Sequence, residues 1–236
     1  MSPKELADES YLFLTTVLME AYHERKDDEL PEAFAFRHAR NVQAIGRDVI
    51  FLYENQRFVA AQISVRSMLE SMFCVVACAK VPTFPEEKLI AECEYMVKMI
   101  NKTRSVTGDA DLDEPHDTYK NLADSLRKKF GVTSRNDWNV FNVAQAAKLE
   151  SQYTTEYFLH CGYVHATTSG IISQEHEATV GHSYQTAVAT MIITGAHAAA
   201  LLETNHAQAH VDNGARLLGV MADMIKQGEF RDAKNS

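Results

Sequence analysis

The sequence predicts an all-α protein, a single antiparallel bundle of seven or eight helices. Three observations carry that expectation. Only five prolines and ten glycines interrupt 236 residues, so turns are few and elements are long. Apolar residues recur at helical spacing through most of the chain. No run of β-branched residues alternates with polar ones over the length of a strand. At 46% hydrophobic and 23% charged, the composition is that of a folded globular chain. There is no internal repeat and no linker-like stretch, so residues 1–236 read as one domain.

The elements follow in order. Ser2-Pro3-Lys4-Glu5 is a capping box with proline at the first helical position. Leu14, Leu18 and Ala21 extend that helix to about His23, and the charged stretch Glu24 to Leu30 is a loop. Pro31 opens a second helix on which Phe34, Val42, Ile45, Val49 and Leu52 fall near one stripe, reaching about Asn55. A third covers roughly Gln56 to Lys80 and is apolar nearly all round, which places it in the middle of a bundle. Pro82 and Pro85 end it and start a fourth, marked by Leu89, Cys93, Met96 and Ile100. Thr103 to His116 reads as a surface loop. A fifth helix carries Leu122, Leu126 and Phe130, with Gly131 as its C-cap. A sixth runs from near Asn136 to His165 with a bend near Leu149. Ala166 to His182 lacks periodicity; Ser183 then caps a long helix through about His210, and a last helix spans Asn213 to Lys226 before Gly228.

A net charge of −9 argues against general nucleic-acid backbone binding, which needs clustered cations to displace counterions. Arg37, Arg40 and Arg47 share a helical face and Arg127, Lys128 and Lys129 run together; both groups read as solvated surface. None of Cys74, Cys78, Cys93 and Cys161 forms a CxxC pair, so neither a disulfide framework nor a zinc site is expected. The acidic N-terminus lacks the layout of a signal peptide. Ala178 to Leu202 holds no formally charged residue, but His182, Gln185, His197 and several threonines dilute it, and mean hydropathy is −0.24. A cytoplasmic chain without a membrane span is the expectation.

Two constellations carry candidate chemistry. Arg66 and Glu70 stand four apart on the third helix, so guanidinium and carboxylate can touch. Their face continues into Ile63, Phe73 and Ala77, which points to a buried ion pair rather than a solvated one. On the sixth helix Tyr157, Cys161 and His165 line one face in steps of four. A histidine at a helix C-terminus is suited to proton transfer near neutrality, although a packing or capping role explains it as well. A third group is weaker. Glu203, His206 and His210 share a face, and Glu20 with His23 repeats the Glu-x-x-His spacing of bundle di-metal sites. No further bridging glutamates accompany them, so no metal and no cofactor is expected. Phosphate-binding glycine loops, GxSxG elbows, HExxH pairs and EF-hand loops are all missing from the sequence.

The run from Phe58 to Glu70, with its Arg66-Ser-Met-Leu-Glu70 core, followed by Tyr157-x3-Cys161-x3-His165, resembles an uncharacterised bacterial helical family, the domain-of-unknown-function family 5677. The resemblance spans roughly Arg47 to Gly170. It implies an all-α fold and, by looser analogy, kinship with HEPN domains, many of which are ribonucleases of toxin–antitoxin and phage-defence systems. HEPN ribonucleases carry Arg followed four to six residues later by His on one helix, and no arginine here has that neighbour. Arg66 and His165 therefore have to cooperate across two helices. The expectation is a polar pocket of Arg66, Glu70, Tyr157 and His165 acting on RNA or a small phosphorylated ligand, with Arg66 on the phosphate and His165 as general acid or base. The alternative is a non-catalytic binding or interaction module in which the same residues form a buried network. A homodimer is expected in either case.

Overall fold

The computed structural model describes residues 1–24, 30–108, 110–133, 137–165 and 177–232. Among these the chain is all-α, with nine helices and no strand. We number them α1 (Pro3–Glu24), α2 (Leu30–Glu54), α3 (Phe58–Lys80), α4 (Phe84–Thr107), α5 (Asp113–Phe130), α6 (Val140–Ala146), α7, α8 (Glu177–Leu201) and α9 (Ala207–Gln227). Helix α7 is composite: Glu150–Gln152, a π turn over Tyr153–Tyr157, then Phe158–Val164.

The N-terminal capping box forms as its sequence requires. The Ser2 backbone N–H donates to Glu5 Oε2 at 2.7 Å, and the Glu5 N–H donates to Ser2 Oγ at 3.2 Å. Helix α3 is the central element, packed against α2, α6, α7 and α8. Val65, Met68, Leu69, Met72, Phe73, Val75 and Val76 are buried along it, whereas Ile63 is exposed. It is long and apolar enough to cross a membrane, and 61% of its most apolar window is buried inside the protein. Helix α8 lies against α1, α2, α3 and α9. Its small residues admit close neighbours: a Cβ on Gly195 would stand 2.5 Å from the Phe13 ring, so only glycine lets that ring seat on the backbone. A continuous core of buried residues runs from Leu6 in α1 to Phe230 beyond α9.

Several boundaries differ from those read in the sequence. The loop expected between Thr103 and His116 is mostly helical. Helix α4 continues to Thr107 and ends on Gly108 at φ 66°, and α5 starts at Asp113 with Pro115 in its first turn. Proline is tolerated there because those N–H groups have no intrahelical acceptor. Helix α5 has Asp113 and Glu114 in its first turn and Arg127, Lys128 and Lys129 in its last, an arrangement that complements the helix dipole. The expected sixth helix is broken rather than bent. Asn139 caps α6 by accepting the Asn142 N–H at 3.0 Å, Lys148 sits at φ 57°, and α7 starts afresh at Glu150. Asn136 and the stretch 166–176 lie outside the described residues.

Residues 177–182, read as irregular, already belong to α8, and Ser183 is no cap: its hydroxyl is buried 3.2 Å from His160 Nε2. The long helix stops at Leu201, not His210. Glu203 adopts φ 47° in the following turn, and α9 begins at Ala207 and ends on Gly228 at φ 77°. These breaks raise the helix number above the expected seven or eight.

Candidate functional site

Helix α3 carries the charged pair at its margin. Arg66 Nη2 lies 2.9 Å from Glu70 Oε1, and the two side chains are 27% and 36% exposed. The pair is therefore half-sheltered, not sealed as its apolar neighbours suggested, because Ile63 on the same face opens to solvent. Tyr157 completes the group from 91 residues downstream. Its hydroxyl accepts from Arg66 Nη2 at 2.8 Å and Nε at 3.2 Å and donates to Glu70 Oε1 at 2.7 Å. The phenol ring is buried and stacked on Tyr153, with the guanidinium 5.3 Å from its centroid.

The electrostatics agree with those directions. Burial drives the Tyr157 hydroxyl well above its ordinary range, and the Glu70 hydrogen bond adds to the effect, so the phenol keeps the proton it donates. Burial works against the Arg66 charge, but the Tyr157 hydroxyl and Glu70 outweigh it and hold the guanidinium above its usual value. His165 lies eight residues beyond Tyr157. It is exposed, in the turn just after α7, with its backbone N–H on the Cys161 carbonyl at 3.0 Å. The hydrogen bonds and ion pair at its centre join Arg66, Glu70 and Tyr157, and Cys161, one turn beyond Tyr157, also supports the Arg66 charge.

Beside this cluster, Glu70 forms part of the wall of a cavity of about 310 Å³ bounded by α2, α3, α4 and α6. His38 and Asn41 line it from α2, Ser67, Ser71 and Cys74 from α3, and Lys88 and Glu92 from α4. Asn41 Nδ2 donates to Ser71 Oγ at 2.8 Å. Lys88 Nζ reaches the Trp138 carbonyl at 3.1 Å and Glu92 at 3.4 Å, tying the segment before α6 onto α4. Burial, with Lys88 nearby, lowers His38 to about 4, so its imidazole is neutral near pH 7. Burial pushes the Cys74 thiol up to about 12, which makes it a hydrogen-bonding surface and not a nucleophile.

Sequence reasoning missed this cavity, although a signal was present. Ser67, Glu70, Ser71 and Cys74 recur at three- and four-residue steps, a polar stripe on an otherwise apolar helix. What the spacing does not show is which other helices face the stripe.

The Glu203, His206 and His210 group does not assemble as a helical face, because the chain turns at Glu203. Instead Glu20 reaches across from α1, with its Oε2 at 2.9 Å from His210 Nε2 and 3.4 Å from His206 Nδ1. Among the described residues no group of three or more His, Cys, Asp or Glu side chains is arranged to hold a metal ion.

No curated protein and no solved structure matches the chain. One family does, over residues 32–179, a span that contains Arg66, Glu70, Tyr157, His165 and the whole lining of the 310 Å³ cavity. The chain therefore belongs to the family of unknown function DUF5677.

Proposed function

We propose that this protein is a non-catalytic binding module, a single-domain antiparallel bundle in which Arg66, Glu70 and Tyr157 form a structural network. That network orients Glu70 toward a small polar ligand held in the cavity between α2, α3, α4 and α6. The observation that supports this reading is the Tyr157 hydroxyl, which accepts from Arg66 at 2.8 Å and donates to Glu70 at 2.7 Å. Both charges are thereby used within the protein, and the hydroxyl is satisfied as donor and as acceptor. The cavity wall carries the carboxylates of Glu70 and Glu92 against the single ammonium of Lys88. With Glu70 paired to Arg66 and Glu92 to Lys88, the wall still offers acceptor oxygens, so a ligand that donates hydrogen bonds matches it and a phosphorylated one, rich in acceptors, is a poor match. The unpaired thiols of all four cysteines suit a reducing, cytoplasmic setting.

Thermal-shift titration tests the reading. Ethanolamine, putrescine and inositol are set against inorganic phosphate and adenosine monophosphate, with wild type beside Glu70→Gln. Stabilisation by an amine or polyol that vanishes in Glu70→Gln is the expected result. Stabilisation by the phosphates alone contradicts it.

One observation favours a second reading, a HEPN-like site acting on RNA. His165 is exposed, and Arg66 and Glu70 keep about a quarter to a third of their side-chain surface in water, so a phosphate backbone has access to all three. In that reading Arg66 holds phosphate and His165 serves as general acid or base. Total cellular RNA incubated with wild type, Arg66→Ala and His165→Ala decides it: loss of cleavage in both variants supports a nuclease, and identical profiles dispose of one.

A further inference from the structure

A second cavity, of about 300 Å³ and open to one side, lies against another face of α3, bordered by α7, α8 and α9. The faces of α3 divide between the two spaces. Ser67, Glu70, Ser71 and Cys74 front the first, whereas Leu69 and Met72 front the second. The π turn of α7 serves both: Tyr157 reaches Glu70, and the preceding residue, Glu156, lines the new cavity. An extra residue per turn re-aims side chains in this way, and such turns recur at binding sites.

The lining combines apolar side chains with a hydrogen-bonded polar cluster. Leu69, Met72, Ile193, Leu218 and Met221 supply the apolar part. In the polar cluster Glu156 Oε2 lies 2.7 Å from His182 Nε2 and accepts from the Thr186 hydroxyl at 2.8 Å. Gln152 and Gln185 also line the cavity, and a smaller cavity of about 200 Å³ shares His182, Gln185 and Ile225 with it and reaches Phe230. The volume is near the lower bound for small-molecule pockets and far above that of a single trapped water.

We propose that this cavity is a binding site for a small uncharged amphiphile, an alkyl or aryl body ending in a hydroxyl or amide head. The charge on the wall sets the head group. Glu156 Oε2 already has His182 at 2.7 Å and the Thr186 hydroxyl at 2.8 Å, so an ammonium head would find that oxygen occupied and a carboxylate head would compete with Glu156 for His182. A pure hydrocarbon fails for the opposite reason, since it strips water from the two amides and returns no hydrogen bond. A hydroxyl or amide head both donates and accepts, which is what a glutamine amide offers in return. Most of this wall (Gln152, Glu156 and the α3 residues aside) lies beyond the part of the chain that matches the family, and the two cavities share no lining residue.

The test uses the full chain and N-phenyl-1-naphthylamine, an uncharged dye that fluoresces in apolar surroundings. Saturable binding is expected, with octanol and octanamide displacing the dye at concentrations at least ten times lower than octanoate or octylammonium. Ala189→Phe, which fills the cavity from α8, is expected to abolish binding with an unchanged circular dichroism spectrum. Gln185→Leu is expected to weaken octanamide about tenfold, the worth of one well-made hydrogen bond, while leaving dye binding within about twofold; this variant carries the test if Ala189→Phe does not fold. Glu70→Gln is expected to leave dye binding unchanged, which separates this site from the proposed polar one. Absence of saturable binding overturns the proposal. So does equal displacement by the charged octyl compounds, or wild-type octanamide affinity in Gln185→Leu.

Discussion

Tyr157→Phe removes one oxygen and leaves the rest of the site in place. The ring keeps its stack on Tyr153 at 5.1 Å, its tilted contact with Phe73 at 6.3 Å and its place beside the Arg66 guanidinium. What is lost is the donation to Glu70 at 2.7 Å and the acceptance from Arg66 at 2.8 Å. Hydrogen bonds to charged groups contribute about 1.5–3 kcal/mol each where neither partner can reach water. Two features reduce that figure here. Arg66 and Glu70 still bond each other at 2.9 Å, so neither charge is orphaned, and both side chains keep enough exposure for water to replace the hydroxyl. The expected loss is about 1.5 kcal/mol, or about 3–6 °C in Tm for a domain of this size. Urea unfolding followed by far-ultraviolet circular dichroism and by the fluorescence of the single tryptophan, Trp138, measures it. A cycle with Arg66→Met then isolates the coupling, expected near 1 kcal/mol. A loss under about 0.5 kcal/mol with no coupling refutes the structural network, since free side chains behave that way. A loss above about 4 kcal/mol refutes the solvent access assigned to the pair.

The remaining predictions concern packing and pH. Gly195→Ala places a methyl against the buried Phe13 ring and costs about 1–3 kcal/mol despite the better helix propensity of alanine. Gly46→Ala meets the flexible end of Met191 at 2.7 Å instead, and its unfolding free energy is expected to stay within about 1 kcal/mol of wild type. His182 is raised by its hydrogen bond to Glu156, against burial, so its contribution is complete below the unfolded value near 6.5 and lost as pH rises through the higher folded one. Burial raises Glu156, but the His182 and Thr186 hydrogen bonds outweigh it and leave the carboxyl lowered, so the acid-side loss comes only below its ordinary range. The gap in stability between wild type and Glu156→Gln is therefore expected to be widest between about pH 5 and 6.5 and to close above it, which urea titrations at stepped pH measure. His38 behaves in the opposite sense. Held neutral down to about pH 4, it is predicted to cost the fold up to about 3 kcal/mol as pH falls from 6.5 to 4, a loss that His38→Gln abolishes and imidazole NMR titration tracks.

Some of this was legible in the residues alone. Arg66 and Glu70 meet because a helix places residues four apart on one face, and that geometry needs no tertiary information. The capping box at Ser2 and the glycine ends at Gly131 and Gly228 are equally local. Spacing misled where it assumed that a helix continued. Glu203, His206 and His210 share a face only if the chain stays helical, and the positive φ at Glu203 ends that register. The step of four from Cys161 reaches His165, exposed in the turn after α7, whereas α3 packs along Phe158–Val164 and shares hydrogen bonds with Tyr157 at the end of the π turn.

By itself the sequence determined that the chain is helical, that α3 is its apolar axis, and that a guanidinium and a carboxylate sit together on it. Those properties follow from a helix's fixed rise and rotation per residue, which act over a few neighbours. Only the tertiary structure decided which side chains 30 to 190 residues away complete each cluster: Asn41 with Ser71, Tyr157 with Arg66, and Glu20 with His210. Such pairings are set by how whole helix faces pack, and packing depends on the volumes and registers of every helix at once.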